Sequence, residues 1–349
     1  MKKKNSTAQP TKLNLKNKYL KDPLIKKIYQ HFKINLLLHI KNEKFCIAVS
    51  GGPDSLSLAY LSKVFSNEFN CKFVALIVDH NLRKNSDKEA KKVKKILTQH
   101  QIKAKILTWR GKIPKSNIQS NARKIRYSLL KKQCEILKIK NIVLAHHEDD
   151  LIENFFIRLF RGSGLKGLSS LNVTKQSANN EIYLLRPLIN VRKSDLVYCT
   201  KKIFKFYLID PYNYKEKFLR TKIRNYLSQF NDDGLNLNKI KLTLNNLQSA
   251  NRSLNFYKEK SAKEYLKYLA NSTCIASCDL FVDESEEVIF RTTSDIISKV
   301  ANKYYSPRGK DVKNLITRIQ SNDFKKSTLG GCIIEKIHNT LIFKREFKT

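Results

Sequence analysis

The sequence predicts an α/β protein in which an N-terminal domain with a parallel sheet is followed by a helical linker and a smaller C-terminal α+β domain. Between about residues 25 and 215, short β-rich runs alternate with helical patterns, which is typical of parallel strands joined by crossover helices. The strand candidates are continuous apolar runs, as expected for strands that are buried on both faces: 44–50, 72–80, 103–109, 141–147 and 182–189.

Apolar spacing and start signals predict the helices between these strands. Ser86 and Glu89 form the pattern of a capping box, and Ala90, Val93 and Leu97 follow it at helical spacing. A second helix is predicted to open at Ser116, and the residues expected to face inward are Ala122, Ile125, Leu129 and Ile136. The polar segment 176–181 is predicted to be a surface loop before the last strand.

The composition changes along the chain divide it into four predicted regions. Residues 1–21 are polar and lysine-rich, which indicates a flexible basic arm. The main α/β domain is expected over 22–220, a polar helical linker over 221–275, and a small domain with mixed strand and helix patterns over 276–349. No internal repeat is evident.

The charge of the chain points to a polyanionic partner. The 349 residues carry a formal net charge of +38, and the lysines are dense from the first residues to the C-terminus. A lysine-rich composition alone is one explanation; the other is a basic surface that gains affinity by releasing counterions from phosphates. Nucleic acid fits better than a membrane, because no long basic amphipathic helix with an aromatic face is present.

The cysteines and the apolar runs exclude several other classes. The seven cysteines are scattered and form no C-x-x-C pair, which argues against a zinc ribbon and against a disulfide framework. No apolar run approaches transmembrane length, and the first 20 residues lack the apolar stretch of a signal peptide. We therefore expect a cytoplasmic protein without membrane contact.

A glycine-rich turn follows the first predicted strand and is the first candidate site. Its residues lie between a strand end and a helix start, where unpaired N–H groups and the helix dipole favour anions: Ser50, Gly51, Gly52, Pro53, Asp54 and Ser55. The glycines permit phosphate oxygens to approach the backbone, and the serine hydroxyls add donors. The turn has neither the lysine of a Walker loop nor the G-x-G-x-x-G pattern.

Two further groups of polar residues follow later elements. Asp79, His80 and Arg83 lie where the second predicted strand opens into a loop, either beside a bound nucleotide or in a solvated loop. Arg123, Arg126 and Tyr127 share one face of a predicted helix, because residues three and four apart are neighbours on a helix surface. This face either binds a phosphate or is simply exposed to solvent.

The segment "AHHEDDLIENFFIRLFRGSG" contains the densest group of candidate residues. His146 and His147 end a predicted strand, and a helix is expected to begin near Glu148. Asp150, Glu153, Asn154, Arg158 and Arg161 then recur as one polar stripe. An amphipathic surface helix would show the same stripe, but it would not account for two histidines before two carboxylates. Metal binding by the histidines is an alternative for which no third ligand is evident.

The motifs together resemble one family of ATP pyrophosphatases with a PP-loop, tRNA(Ile)-lysidine synthetase. The matching pieces appear in its order, from about residue 40 to 230: "SGGPDS", "DHNLR", "ARKIRY", "HHEDDLIENFFIRLFRGSGLKGL", "RPLI" and "DPYNYKEKFLRTKIR". The resemblance implies a Rossmann-type domain similar to the adenine nucleotide α-hydrolases. It also implies a cytoplasmic enzyme that joins L-lysine to carbon 2 of the wobble cytidine of tRNA(Ile) with a CAU anticodon, consuming ATP.

The resemblance also suggests roles for particular residues. The turn Ser50–Ser55, with Asp79 and His80, would bind ATP, and Asp54 would help to hold Mg²⁺ on the departing pyrophosphate. Arg123 is the candidate for stabilising the α-phosphate, while Asp150, Glu153 and His146 would bind the lysine amine and remove its proton. Arg220 would act on the intermediate, and the expected tRNA contacts are Arg158, Arg161, Arg220 and Arg224, together with the basic C-terminal region.

Other functions remain open at this stage. A PP-loop tRNA thiolase would also adenylate a base, but such enzymes use paired cysteines or an iron–sulfur cluster. A small-molecule PP-loop ligase and a non-enzymatic RNA-binding protein are the other classes. The segment "DPYN" departs from the expected pattern at Tyr212, which weakens any role for Asp210 or Asn213. No obligatory protein partner is predicted, and a homodimer is possible.

Overall fold

A computed structural model describes the residues 18–40, 42–81, 85–111, 118–170, 174–176, 182–209, 219–232, 236–270, 272–303, 306–321 and 323–346. The chain forms two compact units. The N-terminal unit comprises 1–163 and 170–237, and the C-terminal unit comprises 164–169 and 238–349. Within the described residues, no helix combines the length and the apolar character needed to cross a membrane.

The N-terminal unit is built on a sheet of six described strands. These are β1 (Phe45–Val49), β2 (Phe73–Asp79), β3 (Ala104–Thr108), β4 (Asn141–Val143), β5 (Thr174–Gln176) and β6 (Tyr183–Leu185), in the spatial order β3-β2-β1-β4-β6-β5. All neighbouring pairs are parallel except β5–β6, which is antiparallel. The predicted fold class, a parallel α/β sheet followed by a smaller unit, is confirmed.

Helices cover both faces of this sheet, as the apolar strands require. The helices of this unit are α1 (Pro23–Leu37), α2 (Pro53–Glu68), α3 (Ser86–Gln99), α4 (Ile118–Leu137), α5 (Glu148–Leu159), α7 (Lys193–Phe204) and α8 (Leu219–Asp232), of which α8 packs on α5. Phe45, Ile47 and Val49 of β1 lie in a core with α1, α2, α3 and α7, whereas Cys46 points to the opposite core, which α4 covers. Alternate residues of one strand therefore fill two cores.

Several local predictions are corrected by the structure. Asn85, not Ser86, precedes the first turn of α3, so the predicted capping box does not form. Ile136 on α4 is 63% exposed, although Ile125 on the same helix is buried as expected. Strand β5 ends inside the segment predicted as a loop. Residues 18–21, predicted as part of a flexible arm, form a short 3₁₀ helix whose Tyr19 and Leu20 pack on the core.

The C-terminal unit combines one antiparallel sheet with helices. Its helices are α6 (Leu165–Leu168), most of α9 (Leu237–Tyr265), α10 (Leu280–Asp283), α11 (Glu286–Val300) and α12 (Gly309–Ile319). Its strands are β7 (Leu266–Ala270), β8 (Thr273–Ser277), β9 (Lys326–Leu329), β10 (Cys332–Ile337) and β11 (Thr340–Arg345), ordered β7-β8-β11-β10-β9. Strands β7 and β8 thus lie at the end of the segment predicted as a helical linker.

Candidate active site

The sheet topology brings two of the sequence motifs to one edge. Strands β1 and β4 are parallel neighbours, while β2 lies on the other side of β1, so the chain order reverses at β1. Ligands of open α/β sheets bind outside the carboxyl ends of the strands at such a point. The glycine turn follows β1 and the histidine–carboxylate segment follows β4, and their side chains meet: His147 Nε2 lies 3.6 Å from Asp54 Oδ2.

The glycine turn is organised by the hydroxyl of Ser55. Its Oγ accepts hydrogen bonds from the backbone N–H groups of Ser50 and Gly51, at 3.2 and 3.1 Å, and donates to the carbonyl oxygen of Gly52 at 3.0 Å. Ser55 is 5% exposed, so it lies beneath the turn and fixes its path. Ser50 is exposed, and Asp54 lies in the first turn of α2, which leaves these residues to face a ligand.

Helix α7 and the segment after it hold the turn from the other side. The Thr200 hydroxyl donates to the Pro53 carbonyl oxygen at 2.6 Å and lies 2.7 Å from the Ser57 hydroxyl. The Leu208 N–H donates to the Gly51 carbonyl oxygen at 2.9 Å. Thr200 and Leu208 were not among the predicted site residues, because nothing in the order of the motifs reveals which later segment returns to the first strand.

We expect Gly51→Ala to destabilise the protein and to weaken ATP binding. Gly51 has φ +89°, and a Cβ atom there would lie 2.5 Å from Val93 Cγ2 and 2.8 Å from Leu208 Cδ1. Such a conformation costs an L-residue about 1–3 kcal/mol, to which the overlap adds. Thermal unfolding and ATP titration measure both effects. Gly52→Ala is the control for stability, since its Cβ would meet only Ser50 Oγ at 3.7 Å; equal loss of stability in both variants would contradict this explanation.

His147 joins the two motifs by its charge. Its side chain is 3% exposed and lies 3.6 Å from Asp54, 3.7 Å from Asp149 and 3.5 Å from Asp150. Burial alone would lower the pKa of His147, but the three surrounding carboxylates outweigh it and raise this pKa to about 10. The imidazole is therefore a cation that holds Asp54 and Asp150 together. Adjacent residues on an extended segment cannot be told apart by pattern alone, so the sequence had pointed to His146 for the site.

Two arginines of α8 donate hydrogen bonds to the carboxylate of Glu153. Its Oε2 accepts a hydrogen bond from Arg220 Nε at 2.7 Å and one from Arg224 Nη2 at 3.1 Å, and Arg224 Nε donates to Oε1. Arg220 Nη2 also donates to Asp150 Oδ1 at 3.2 Å. The structure thus brings the predicted Asp150, Glu153, Arg220 and Arg224 together, with Glu153 only 3% exposed.

The described ion pairs of this cluster contain one more carboxylate than cations. Its described ion pairs link four carboxylates with three cations: Asp54, Asp149, Asp150 and Glu153 with His147, Arg220 and Arg224. Asp54 Oδ1 is buried and has no hydrogen-bond partner among the described residues. A free carboxylate oxygen beside an anion-binding turn is a ligand that Mg²⁺ prefers. Asp54 therefore fits the metal that ATP chemistry requires.

His146 lies in a positive environment. Burial, which acts most strongly, and the charges of Arg186, Arg123 and Arg220 lower the pKa of His146 to about 3, although Asp150 opposes the shift. His146 is thus a neutral imidazole. Its Nδ1 is buried without a described hydrogen-bond partner. The buried Arg186 was not singled out as a site residue, although it opens the "RPLI" motif.

Asp79 and His80 follow β2 at the same edge of the sheet. Asp79 is 4% exposed, and its carboxylate accepts the N–H of Asn81 at 2.9 Å, so it shapes the start of the loop. Burial, followed by the charge of Arg126, lowers the pKa of His80 to about 4. Arg83, Asp210 and Asn213 lie outside the described residues.

The far end of α5 carries two further predicted arginines. Arg158 Nε is buried without a described hydrogen-bond partner, and burial, with the nearby charge of Arg161, lowers the pKa of Arg158. Phe160 between them is 68% exposed. Arg158 follows Glu153 by five residues, a rise of about 7.5 Å along the helix axis, so this end of α5 lies just beyond the carboxylate cluster.

Comparison with known proteins identifies the family. The model of the PP-loop domain matches residues 22–230. The chain is 34% identical to tRNA(Ile)-lysidine synthase of Orientia tsutsugamushi (strain Boryong) over 320 residues, which cover 88% of this chain and 70% of that protein. It belongs to the tRNA(Ile)-lysidine synthase family. A second family member, from Rickettsia bellii (strain OSU 85-389), is 34% identical over 331 residues, covering 91% of this chain and 73% of that one. The protein is therefore an enzyme with an ATP-binding PP-loop domain.

A solved structure with the same fold is the U34-tRNA thiolase NcsA from Methanococcus maripaludis with its [4Fe-4S] cluster. It aligns with a TM-score of 0.52 at 18% identity, over 61% of this chain and 75% of that one. At this identity the likeness shows the fold alone. All seven cysteines of the present chain are free, and six of them are buried, scattered over both units. Cys46 and Cys134 lie against each other, but both thiols are fully buried in the core that α4 covers.

Proposed function

We propose that the protein joins L-lysine to carbon 2 of the wobble cytidine of tRNA(Ile) with a CAU anticodon, and so changes its decoding from AUG to AUA. The observation that carries this proposal is the meeting of the PP-loop carboxylate Asp54 with the His147–Asp150–Glu153 cluster, within the lysidine synthase family. The reaction needs ATP because the oxygen on carbon 2 is a poor leaving group.

In the first step, the cytidine oxygen attacks the α-phosphorus of ATP and the bond to the β-phosphate breaks. The glycine turn, set by Ser55 and Leu208, is proposed to bind the departing pyrophosphate at the start of α2. Asp54 would hold Mg²⁺, which neutralises the phosphate charge when it is bound. Arg123 is exposed on α4, close enough to affect the pKa of His146, and is proposed to stabilise the α-phosphate.

In the second step, the lysine ε-amine attacks carbon 2 and AMP leaves. The amine must first lose a proton, because free lysine is a cation near neutral pH. Asp150 is the better candidate for the ammonium, since its carboxylate is shared between His147 and one arginine nitrogen. Both oxygens of Glu153 already accept arginine N–H groups. Glu153 is therefore proposed to position Arg220 and Arg224, a change from the role that the sequence suggested.

The tRNA is proposed to contact the basic residues beyond this cluster, toward the end of α5. Arg158 and Arg161 have no described carboxylate partner, and RNA phosphates would relieve their mutual repulsion. Neutral His146 would accept a hydrogen bond from the base or the amine. A cytoplasmic location is expected of an enzyme that acts on tRNA, and it stays a prediction.

The test is ATP-dependent incorporation of labelled lysine into an unmodified tRNA(Ile) transcript with the CAU anticodon. We expect incorporation with release of AMP and pyrophosphate, and none when the wobble cytidine is replaced by uridine. Release of pyrophosphate without lysine incorporation would contradict the assignment of the nucleophile. Sulfur incorporation from a thiol donor would support the thiolase reading instead.

A further inference from the structure

A basic pocket of about 260 Å³ lies within the C-terminal unit. Its lining residues come from the end of α11, from the segment before α12, and from the turn between β9 and β10. The polar side chains that line it are Ser298, Lys303, Ser306 and Arg308, and Gly330 forms part of its floor. No residue of the proposed reaction contributes to this pocket.

The two cations of the pocket lack the carboxylate partners that several other cations of this unit have. Lys166, Lys258, Arg291, Lys313 and Lys326 each pair with a carboxylate. Lys303 and Arg308 form no such pair among the described residues, and no Asp or Glu lines the pocket. The nearest acid along the chain, Asp311, is not one of the lining residues. Two unpaired cations facing one concave surface lack their counter-charge.

The two serines of the pocket add hydrogen-bond donors. Ser298 Oγ lies 3.0 Å from Ser306 Oγ and 2.9 Å from the carbonyl oxygen of Ser294. Because Ser298 donates its single proton to the Ser294 carbonyl oxygen, the exposed hydroxyl of Ser306 can rotate to donate to a ligand. Helix α12 adds to this, because Arg308 precedes its first turn and makes no side-chain cap.

The turn between β9 and β10, at Gly330 and Gly331, contacts the side chain of Lys303. Gly330 and Gly331 have φ +64° and +88°, and a Cβ on Gly331 would lie 3.0 Å from Lys303 Nζ. The ammonium group therefore lies directly against the backbone of the turn. A Cβ on Gly330 would lie 2.8 Å from Pro307 Cγ, which keeps this wall of the pocket close to the turn. The pocket is thus a feature of the packed backbone and not only of mobile side chains.

The size and the chemistry of the pocket select its ligand. Small-molecule sites usually measure about 300–1,000 Å³, so about 260 Å³ suits an ionic group better than a whole nucleotide. Lysine, arginine, hydroxyl and helix N-terminus are the groups that contact nucleic-acid phosphates. We propose that this pocket binds one backbone phosphate of the tRNA and so positions the C-terminal unit on it. The choice of tRNA rests on the proposed function.

The test compares two double variants of the full chain that remove the same number of charges. Lys303→Gln with Arg308→Gln alters the pocket, and Lys267→Gln with Lys325→Gln removes two exposed lysines of the same unit that do not line it. The affinity for an unmodified tRNA(Ile) transcript is measured over a series of KCl concentrations. We expect the pocket variant to bind roughly tenfold more weakly. Its slope of log K against log[KCl] should be smaller by about 0.7–0.9 than that of the control pair.

Phosphate-ethylation interference then identifies the contact. One phosphate of the tRNA should interfere with binding to the wild type and to the control pair, but not to the pocket variant. Arg308→Lys keeps the charge and should keep most of the slope, which provides a readout if the double variant unfolds. Equal slopes for the pocket and control pairs would overturn the proposal.

Two further outcomes distinguish this proposal from the proposed function and from a site for free phosphate. If the slope changes as expected while the wild type incorporates no lysine, the phosphate pocket stands and the proposed function fails. If calorimetry shows that the pocket binds inorganic phosphate while the tRNA slope is unchanged by the double variant, the ligand is a free phosphate and the assignment to RNA is overturned.

Discussion

Replacing Asp54 by Asn is expected to reduce tRNA-dependent release of pyrophosphate by about 100- to 1,000-fold, the range seen when one preorganised group is removed from a charged reaction centre. Asp54 Oδ1 is the buried carboxylate oxygen without a described partner, and Oδ2 faces the His147 cation. Asparagine keeps the shape but removes the charge, so both Mg²⁺ and His147 lose their counter-charge. Pyrophosphate release at saturating ATP measures the effect.

Asp87→Asn is the matched control for this substitution. Asp87 occupies the second position of α3, as Asp54 does in α2, so both variants lose a carboxylate from the first turn of a helix. The side chain of Asp87 is 48% exposed, and its one ion pair among the described residues is with Lys91. Its variant should release pyrophosphate at the wild-type rate. Similar losses in the two variants would show that the helix start, and not the site, requires the charge. Raising the Mg²⁺ concentration should restore part of the activity of Asp54→Asn if metal affinity is what was lost.

The fold of the N-terminal unit could be predicted because its strands are apolar on both faces and are separated by turn and helix signals. The strand β1, for example, fills two cores with alternate residues, so its sequence admits few other placements. Strand β5 could not be predicted, since an antiparallel strand of three residues at a sheet edge needs no apolar run. The exposure of Ile136 was equally hidden, because helical spacing shows a face but not where the neighbouring sheet ends.

The residues of the site could be predicted by type and order, but their partners could not. Asp54, Asp150 and Glu153 were identified from motifs that follow two strands, and the sheet topology then brings them to one edge. The choice between His146 and His147 depends on which side chain turns toward Asp54, a matter of backbone direction at the end of β4. Leu208 and Thr200 support the turn from distant segments, and such long-range contacts leave no local pattern in a single sequence.

Replacing Glu153 by Gln is expected to reduce lysine incorporation strongly, by about 100-fold or more, while leaving ATP binding nearly intact. The neutral amide keeps at most part of the three hydrogen bonds with Arg220 and Arg224, so both guanidinium groups are released toward the carboxylate of Asp150, to which Arg220 Nη2 already donates. Asp150 would then be neutralised by arginine and could no longer receive the lysine ammonium. Accordingly, the apparent KM for lysine should rise and the turnover should fall, whereas the KM for ATP should change little.

Glu287→Gln is the control that separates positioning from stability. Glu287 pairs with the buried Arg291 of the C-terminal unit, so this variant also takes a carboxylate from an arginine. Breaking a fully buried pair costs about 3–5 kcal/mol; both losses should be smaller, about 2 kcal/mol, because Glu287 is 46% exposed in one pair and Arg220 is 43% exposed in the other. Chemical denaturation measures these losses. If Glu153 acts only through stability, its variant should recover full turnover at low temperature, where both variants are folded. If it positions the arginines, as the geometry indicates, the defect in lysine transfer should persist there while Glu287→Gln transfers lysine normally.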